Sequence, residues 1–222
     1  MNLRKYLIMG ALLLAGACAS AVAPAAGEMP KGQTTPDGMK DTITSESIVF
    51  LGNSLTYGGK WNELFGIENA VNRGIVGNTA ADIDARLAEV TAGKPRKIFL
   101  MCGVNDVSHD LTADSVARAV IGLVDRIREE SPETELYLQS LLPINNSFGR
   151  YKRVIGKEQT IRDINALLEP MARERGVEWI MLYPYFCDEE QNLRKELTTD
   201  GLHLVGAGYE IWREHLEPYV KR

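Results

Sequence analysis

Five short apolar runs separated by amphipathic stretches constrain the fold of this chain more than any single residue does. The runs fall at residues 48–51, 67–71, 97–101, 135–142 and 177–182, lengths that suit strands rather than packed helices. Between most of them apolar residues recur at helical spacing. In 79–90 they are Ile83, Leu87 and Val90, in 112–129 Val116, Val120, Leu123, Val124 and Ile127, and in 157–175 Ile161, Ile164, Leu168 and Met171. A last helix is expected over 206–219, and Pro170 is expected to kink the third. Strands alternating with helices can bury both faces of a mainly parallel sheet, so the pattern reads as an α/β fold.

At 222 residues and 24.6 kDa the chain suits one domain that buries a core without disulfide support. Its first residues have the three-part layout of an export signal: basic Arg4 and Lys5, an apolar stretch over 6–17, and small residues over 15–26. The apolar stretch falls short of the roughly 20 residues a membrane-spanning helix needs. Ala17-Cys18-Ala19 and Ala19-Ser20-Ala21 both offer small-x-small cleavage sites. Leu14-Ala15-Gly16-Ala17-Cys18 resembles a lipoprotein cleavage box, with Ala15 where a larger aliphatic residue is usual, so lipidation at Cys18 and plain secretion both stay open. The expected boundaries are 1–21 for the signal, 22–44 for a flexible leader rich in Pro, Gly and Thr, and 45–222 for the domain, which is expected to be periplasmic, at the cell surface or secreted.

Without Arg4 and Lys5 the formal charge moves from -5 to about -7, and no basic tract remains, which argues against a nucleic-acid partner. The one expected link to a membrane is a lipid on Cys18. Cys102 adjoins an apolar run and reads as a small buried hydrophobe, while Cys187 lies in a polar segment.

In a parallel sheet, functional residues gather in the loops at the carboxyl edge. Ser54 follows the first run, Asn72-Arg73-Gly74 the second, Gly103-Val104-Asn105-Asp106 the third and the 143–153 segment the fourth; Asp200 and His203 come after the fifth. A serine hydroxyl is a poor nucleophile until a base takes its proton, and an imidazole, with an ordinary pKa of about 6.5, is largely neutral at pH 7 and suited to the task. Asp200, three positions before His203, is placed to fix the ring tautomer and to stabilise the imidazolium that forms. Backbone N–H groups near Ser54 and Gly74, with the Asn105 amide, are candidates to hold a developing oxyanion.

Gly52-Asn53-Ser54-Leu55, Gly74 after Asn72-Arg73, Gly103-x-Asn105-Asp106 and Asp200-x-x-His203 resemble the four signature blocks of the SGNH (GDSL) hydrolases, in order and across essentially the whole domain. Within that family the chain is similar to the sialate O-acetylesterase and platelet-activating-factor acetylhydrolase-like branches. The resemblance implies a flavodoxin-like three-layer α/β/α sandwich around a mainly parallel five-stranded sheet. It also implies Ser54 as nucleophile, His203 as base, Asp200 as orienting acid, and an oxyanion hole from the Ser54 and Gly74 N–H groups and the Asn105 side chain. The reaction implied is ester hydrolysis through an acyl-enzyme, with no metal and no cofactor. Asn53 stands where the family's name-giving block has aspartate, and Leu204-Val205-Gly206 replaces the proline-containing continuation often found after the histidine.

Neighbouring chemistries fit less well. Thr56 occupies the second glycine of a G-x-S-x-G elbow, and Gly58-Gly59-Lys60 lacks the spacing of a phosphate-binding loop. His109, His203 and His215 are too scattered to suggest a metal site, and His109 reads as a solvated loop residue. Asp106 is expected to hold its loop. The 145–153 segment mixes aromatic and cationic groups and is a candidate substrate-facing flap, with Arg150 and Tyr151 as binding residues; Asn53, Tyr57 and Trp61 are further candidates beside the nucleophile. The expected function is hydrolysis of small acyl esters, with O-acetyl groups on carbohydrates as the expected substrates. The alternatives are a lysophospholipase or thioesterase of the same family and a non-catalytic carbohydrate-binding protein on this fold.

Overall fold

The structure, a computed structural model, describes residues 42–222, so the expected signal, Cys18 and nearly all of the expected leader lie outside the described residues. In chain order the regular elements are β1 (Ile48–Gly52), α1 (Ser54–Tyr57), α2 (Trp61–Phe65), β2 (Ala70–Gly74), α3 (Ala80–Ala85), α4 (Leu87–Thr91), β3 (Lys97–Met101), α5 (Val104–Ser108), α6 (Ala113–Glu130), β4 (Glu135–Gln139), α7 (Glu158–Glu174), β5 (Glu178–Ile180), α8 (Tyr183–Phe186) and α9 (Gly206–Val220), with single 3-10 turns at Asn146–Phe148, Lys152–Val154 and Lys195–Leu197. The strands pair in the order β2-β1-β3-β4-β5, and every pairing is parallel. This is the flavodoxin-like α/β sandwich expected from the sequence.

Alternation along each strand divides the core in two. Val49, Leu51, Ile98, Leu100 and Leu138 point to one face and pack against α3, α4, α6 and α7 through Ile83, Val90, Val120, Val124, Ile161 and Leu168. Ile48, Phe50, Phe99, Met101 and Tyr137 point to the other, where α2, α8 and α9 supply Trp61, Phe65, Phe186, Trp212 and Leu216. Aromatic rings carry this second face. Phe50 stacks between Trp61 at 4.2 Å and Phe99 at 5.1 Å, Phe99 stacks on Tyr137 at 4.6 Å, and Trp212 meets Trp61 edge-on at 5.2 Å.

Three elements differ from expectation, each for a local reason. The second strand starts later than the apolar run 67–71, because the Ile67 N–H is taken by the Asn62 carbonyl where α2 ends at a left-handed Gly66; Asn72, Arg73 and Gly74 therefore belong to the edge strand β2 rather than to a loop after it. The single helix expected over 79–90 breaks at Arg86, whose N–H bonds the Ile83 carbonyl one residue short of helical register. The fourth strand stops at Gln139, because both backbone groups of Leu141 are taken by the Asn165 side chain, at 2.8 and 3.0 Å. Pro170, by contrast, sits inside an uninterrupted α7, where it has no N–H for the carbonyl of the exposed Ala166.

Candidate active site

The order of the sheet reverses direction at β1, which sends the chain outward to β2 and then back across to β3. A crevice opens at such a point at the carboxyl ends of the strands. Ser54, directly beyond β1, and Asn105, directly beyond β3, both line a cleft of about 450 Å³ there, together with Gly77, Tyr151, Leu202 and His203. Ser54 is the first residue of α1. Asn53 caps that helix, its Oδ1 accepting the Leu55 N–H at 3.0 Å.

The imidazole arrives from the loop before α9. Asp200 Oδ1 accepts the N–H groups of Leu202 and His203 at 2.9 and 2.8 Å, which folds the loop back on its own carboxylate. Asp200 Oδ2 lies 2.9 Å from His203 Nδ1, and His203 Nε2 lies 2.9 Å from Ser54 Oγ. With Nδ1 carrying its proton toward Asp200, Nε2 is left to accept from the serine hydroxyl. Burial would raise the Asp200 pKa, but the hydrogen bonds from the His203 side chain and from the His203 and Leu202 N–H groups outweigh it and hold the carboxyl down to about 2. The group is a carboxylate throughout the neutral range.

Asn105 Nδ2 donates to the Asn78 carbonyl at 2.8 Å, which fixes the amide plane beside the cleft. Here the structure corrects the expectation for Gly74. That residue is buried at the end of β2, its N–H donates to Asn72 Oδ1 at 2.9 Å, and a Cβ on it would lie 2.1 Å from the Tyr57 nitrogen. Gly74 thus lets α1 pack against β2 and has no N–H to offer. The glycine on the cleft wall is Gly77, at φ +82, and neither its N–H nor that of Ser54 takes an acceptor among the described residues.

Residues 50–211, from within β1 to within α9, match the GDSL-like Lipase/Acylhydrolase family. The chain belongs to that family. The alpha2 subunit of platelet-activating factor acetylhydrolase IB, from Rattus norvegicus and from Homo sapiens, is 27% identical to this acylhydrolase over 169 residues, 73% of this chain and 70% of the relative. A Streptococcus pneumonia structure described as a candidate platelet activating factor superposes with a TM-score of 0.74 at 30% identity, covering 81% of this chain and 86% of the other. An acetyl xylan esterase shares the fold at a TM-score of 0.65 and 19% identity, over 78% of this chain and 99% of the other. The family makes the acylhydrolase a carboxylic ester hydrolase.

Other candidate residues of the acylhydrolase divide cleanly. Of the 145–153 segment, Arg150, Tyr151, Lys152 and Arg153 line the cleft. Tyr151 goes further: its hydroxyl donates to Asp200 Oδ2 at 3.3 Å and lies 3.0 Å from His203 Nδ1, with its ring edge-on to the imidazole. Asn53 and Trp61 do not face the cleft. They are 1% and 2% exposed, Asn53 as the α1 cap and Trp61 in the aromatic core with Nε1 donating to the Thr56 carbonyl. Tyr57 is half-buried and outside the cleft wall, as is the exposed His109. Asp106 holds its loop as expected, accepting the Ala80 N–H at the start of α3.

Arg86 is the residue that sequence reasoning passed over. Its guanidinium donates to the carbonyls of Gly52 and Arg73 at 3.2 and 3.0 Å and to Asn78 Oδ1 at 2.8 Å, tying the ends of β1 and β2 to the loop that carries Gly77. Burial pushes its pKa down to about 10 despite the nearby Glu89. Among the described residues, no group of three or more His, Cys, Asp or Glu side chains is placed to hold a metal ion.

Proposed function

We propose that this acylhydrolase is a serine esterase that removes small acyl groups, O-acetyl groups on carbohydrates in particular, through a covalent acyl-enzyme. The observation that carries the reading is the relay from Ser54 Oγ to His203 Nε2 and from Nδ1 to Asp200 Oδ2, both links 2.9 Å, opening on the cleft. Ser54 Oγ attacks the ester carbonyl as His203 Nε2 takes its proton, and Asp200 stabilises the imidazolium. The tetrahedral oxyanion is held by the Ser54 and Gly77 N–H groups and the Asn105 amide. Collapse breaks the bond to the alcohol, which leaves with the proton from Nε2; water, deprotonated by the same nitrogen, then releases the acid and restores Ser54.

The acetyl preference is supported by what two similar proteins share in name, an acetylhydrolase and an acetyl xylan esterase. The basic, apolar and small-residue order of the first 26 residues supports export of the enzyme. Acetate release from a panel of acetylated sugars tests the carbohydrate class, and a p-nitrophenyl ester series from acetate to palmitate tests the acyl size. Acetate is expected to have the highest kcat/KM in the series, and preference for palmitate would overturn the small-acyl assignment.

A further inference from the structure

We propose that the alcohol half of the substrate carries an anionic group, a carboxylate or a phosphate, recognised by Arg150, Lys152 and Arg153 in the Ser54 cleft. This rests on the esterase reading and names the substrate class of that site. All three cations line the cleft, and no Asp or Glu is among its lining residues. In a chain with 30 acidic and 25 basic residues, such a wall is not a sample of the average surface.

Several surface cations elsewhere are paired within the protein: Arg118 with Asp114, Arg126 with Asp84 and Glu130, Arg173 with Glu169, and Arg175 with Asp125. Arg150, Lys152 and Arg153 have no ion pair among the described residues. Asp110 is within Coulombic reach of Arg153, but it is already bonded to Lys157. The chain segment that carries the cations is anchored, which lowers the cost of ordering it around a ligand. Upstream, the Asn145 N–H donates to the Gly201 carbonyl at 2.8 Å and its Nδ2 to the Leu193 carbonyl at 2.7 Å. Within the run Tyr151 is hydrogen-bonded to Asp200, and directly after it Val154 is buried. An acetyl group has no ionisable group, so the anion they recognise belongs to the alcohol.

The test compares kcat/KM for 4-acetoxybenzoate and for 4-acetoxyphenyl phosphate with that for neutral methyl 4-acetoxybenzoate, using the full chain. Each ratio of anionic to neutral ester cancels any general loss of catalytic power. Changing Arg150→Gln, Lys152→Gln and Arg153→Gln together is expected to lower the ratio about tenfold or more for the anion the cleft recognises, and the same ratio is expected to fall in wild type as salt shortens the Debye length from about 30 Å to about 3 Å. The charge-keeping set Arg150→Lys, Lys152→Arg and Arg153→Lys is expected to retain most of the preference, and Arg118→Gln all of it. Ser54-dependent hydrolysis with ratios unmoved by the three glutamines would overturn the anionic assignment and leave the esterase reading standing. Wild-type rates no faster than those of Ser54→Ala on every ester would remove both.

Discussion

Asn105 uses one amide hydrogen to bond the Asn78 carbonyl, and that bond orients the hydrogen left for the cleft. Asn105→Ala is expected to lower kcat by about 10²–10³ with a smaller change in KM, because the donor acts on charge that appears only in the transition state; steady-state kinetics on p-nitrophenyl acetate reads the split. Asp200 makes a pH prediction. Its pKa is depressed to about 2 from an ordinary value of about 3.9, so its contribution to stability is fully present above about pH 4 and is lost as pH falls through about 2. Denaturant unfolding of wild type and Asp200→Asn should therefore converge in that window and stay parallel above it. At this scale the sequence conveys chemistry but not direction. Ser54, Asp200 and His203, which the structure brings together, were legible as a set because a hydroxyl, an imidazole and a carboxylate are distinct residue types. Gly74 and Gly77 were not separable, since a glycine reports that a Cβ is unwelcome without saying whether a helix or an open cleft lies beside it.

Among the elements, the long amphipathic helices were legible within a residue or two at their ends. Thr112 caps α6 through the Ser115 N–H, and α7 runs between the expected ends. What the apolar pattern lacked were breaks made by side chains. Arg86 interrupts one expected helix, its N–H bonding the Ile83 carbonyl while its side chain bonds carbonyls distant in sequence, and Asn165 ends one expected strand by taking both backbone groups of Leu141. Lys97 is a similar case at the start of β3: it is fully buried, and its Nζ donates to the Tyr219 carbonyl at 2.7 Å, closing the last turn of α9. Lys97→Met is expected to reduce unfolding free energy by about 1–3 kcal/mol, as buried carbonyls lose a charged donor, with kcat on acetate esters little changed; denaturant unfolding checks it. Arg86→Met is expected to affect both, because its three bonds join the ends of β1 and β2 to the Gly77 loop.

For the whole molecule, an all-parallel sheet with aromatic packing on one face and aliphatic packing on the other fixes where the five contributing loops end. Ser54 and the Asn105 amide follow the two strands that flank the reversal, while the imidazole is brought from 149 residues away by the loop before α9. That long-range placement is what a list of motifs in order can only suggest. The central claim is that Ser54 is the nucleophile of an esterase. Hydrolysis of p-nitrophenyl acetate by the full-length protein and by Ser54→Ala, compared at matched unfolding midpoints, tests it most directly. A fall in kcat of about 10³-fold or more is predicted, and equal rates in the two proteins would contradict the account.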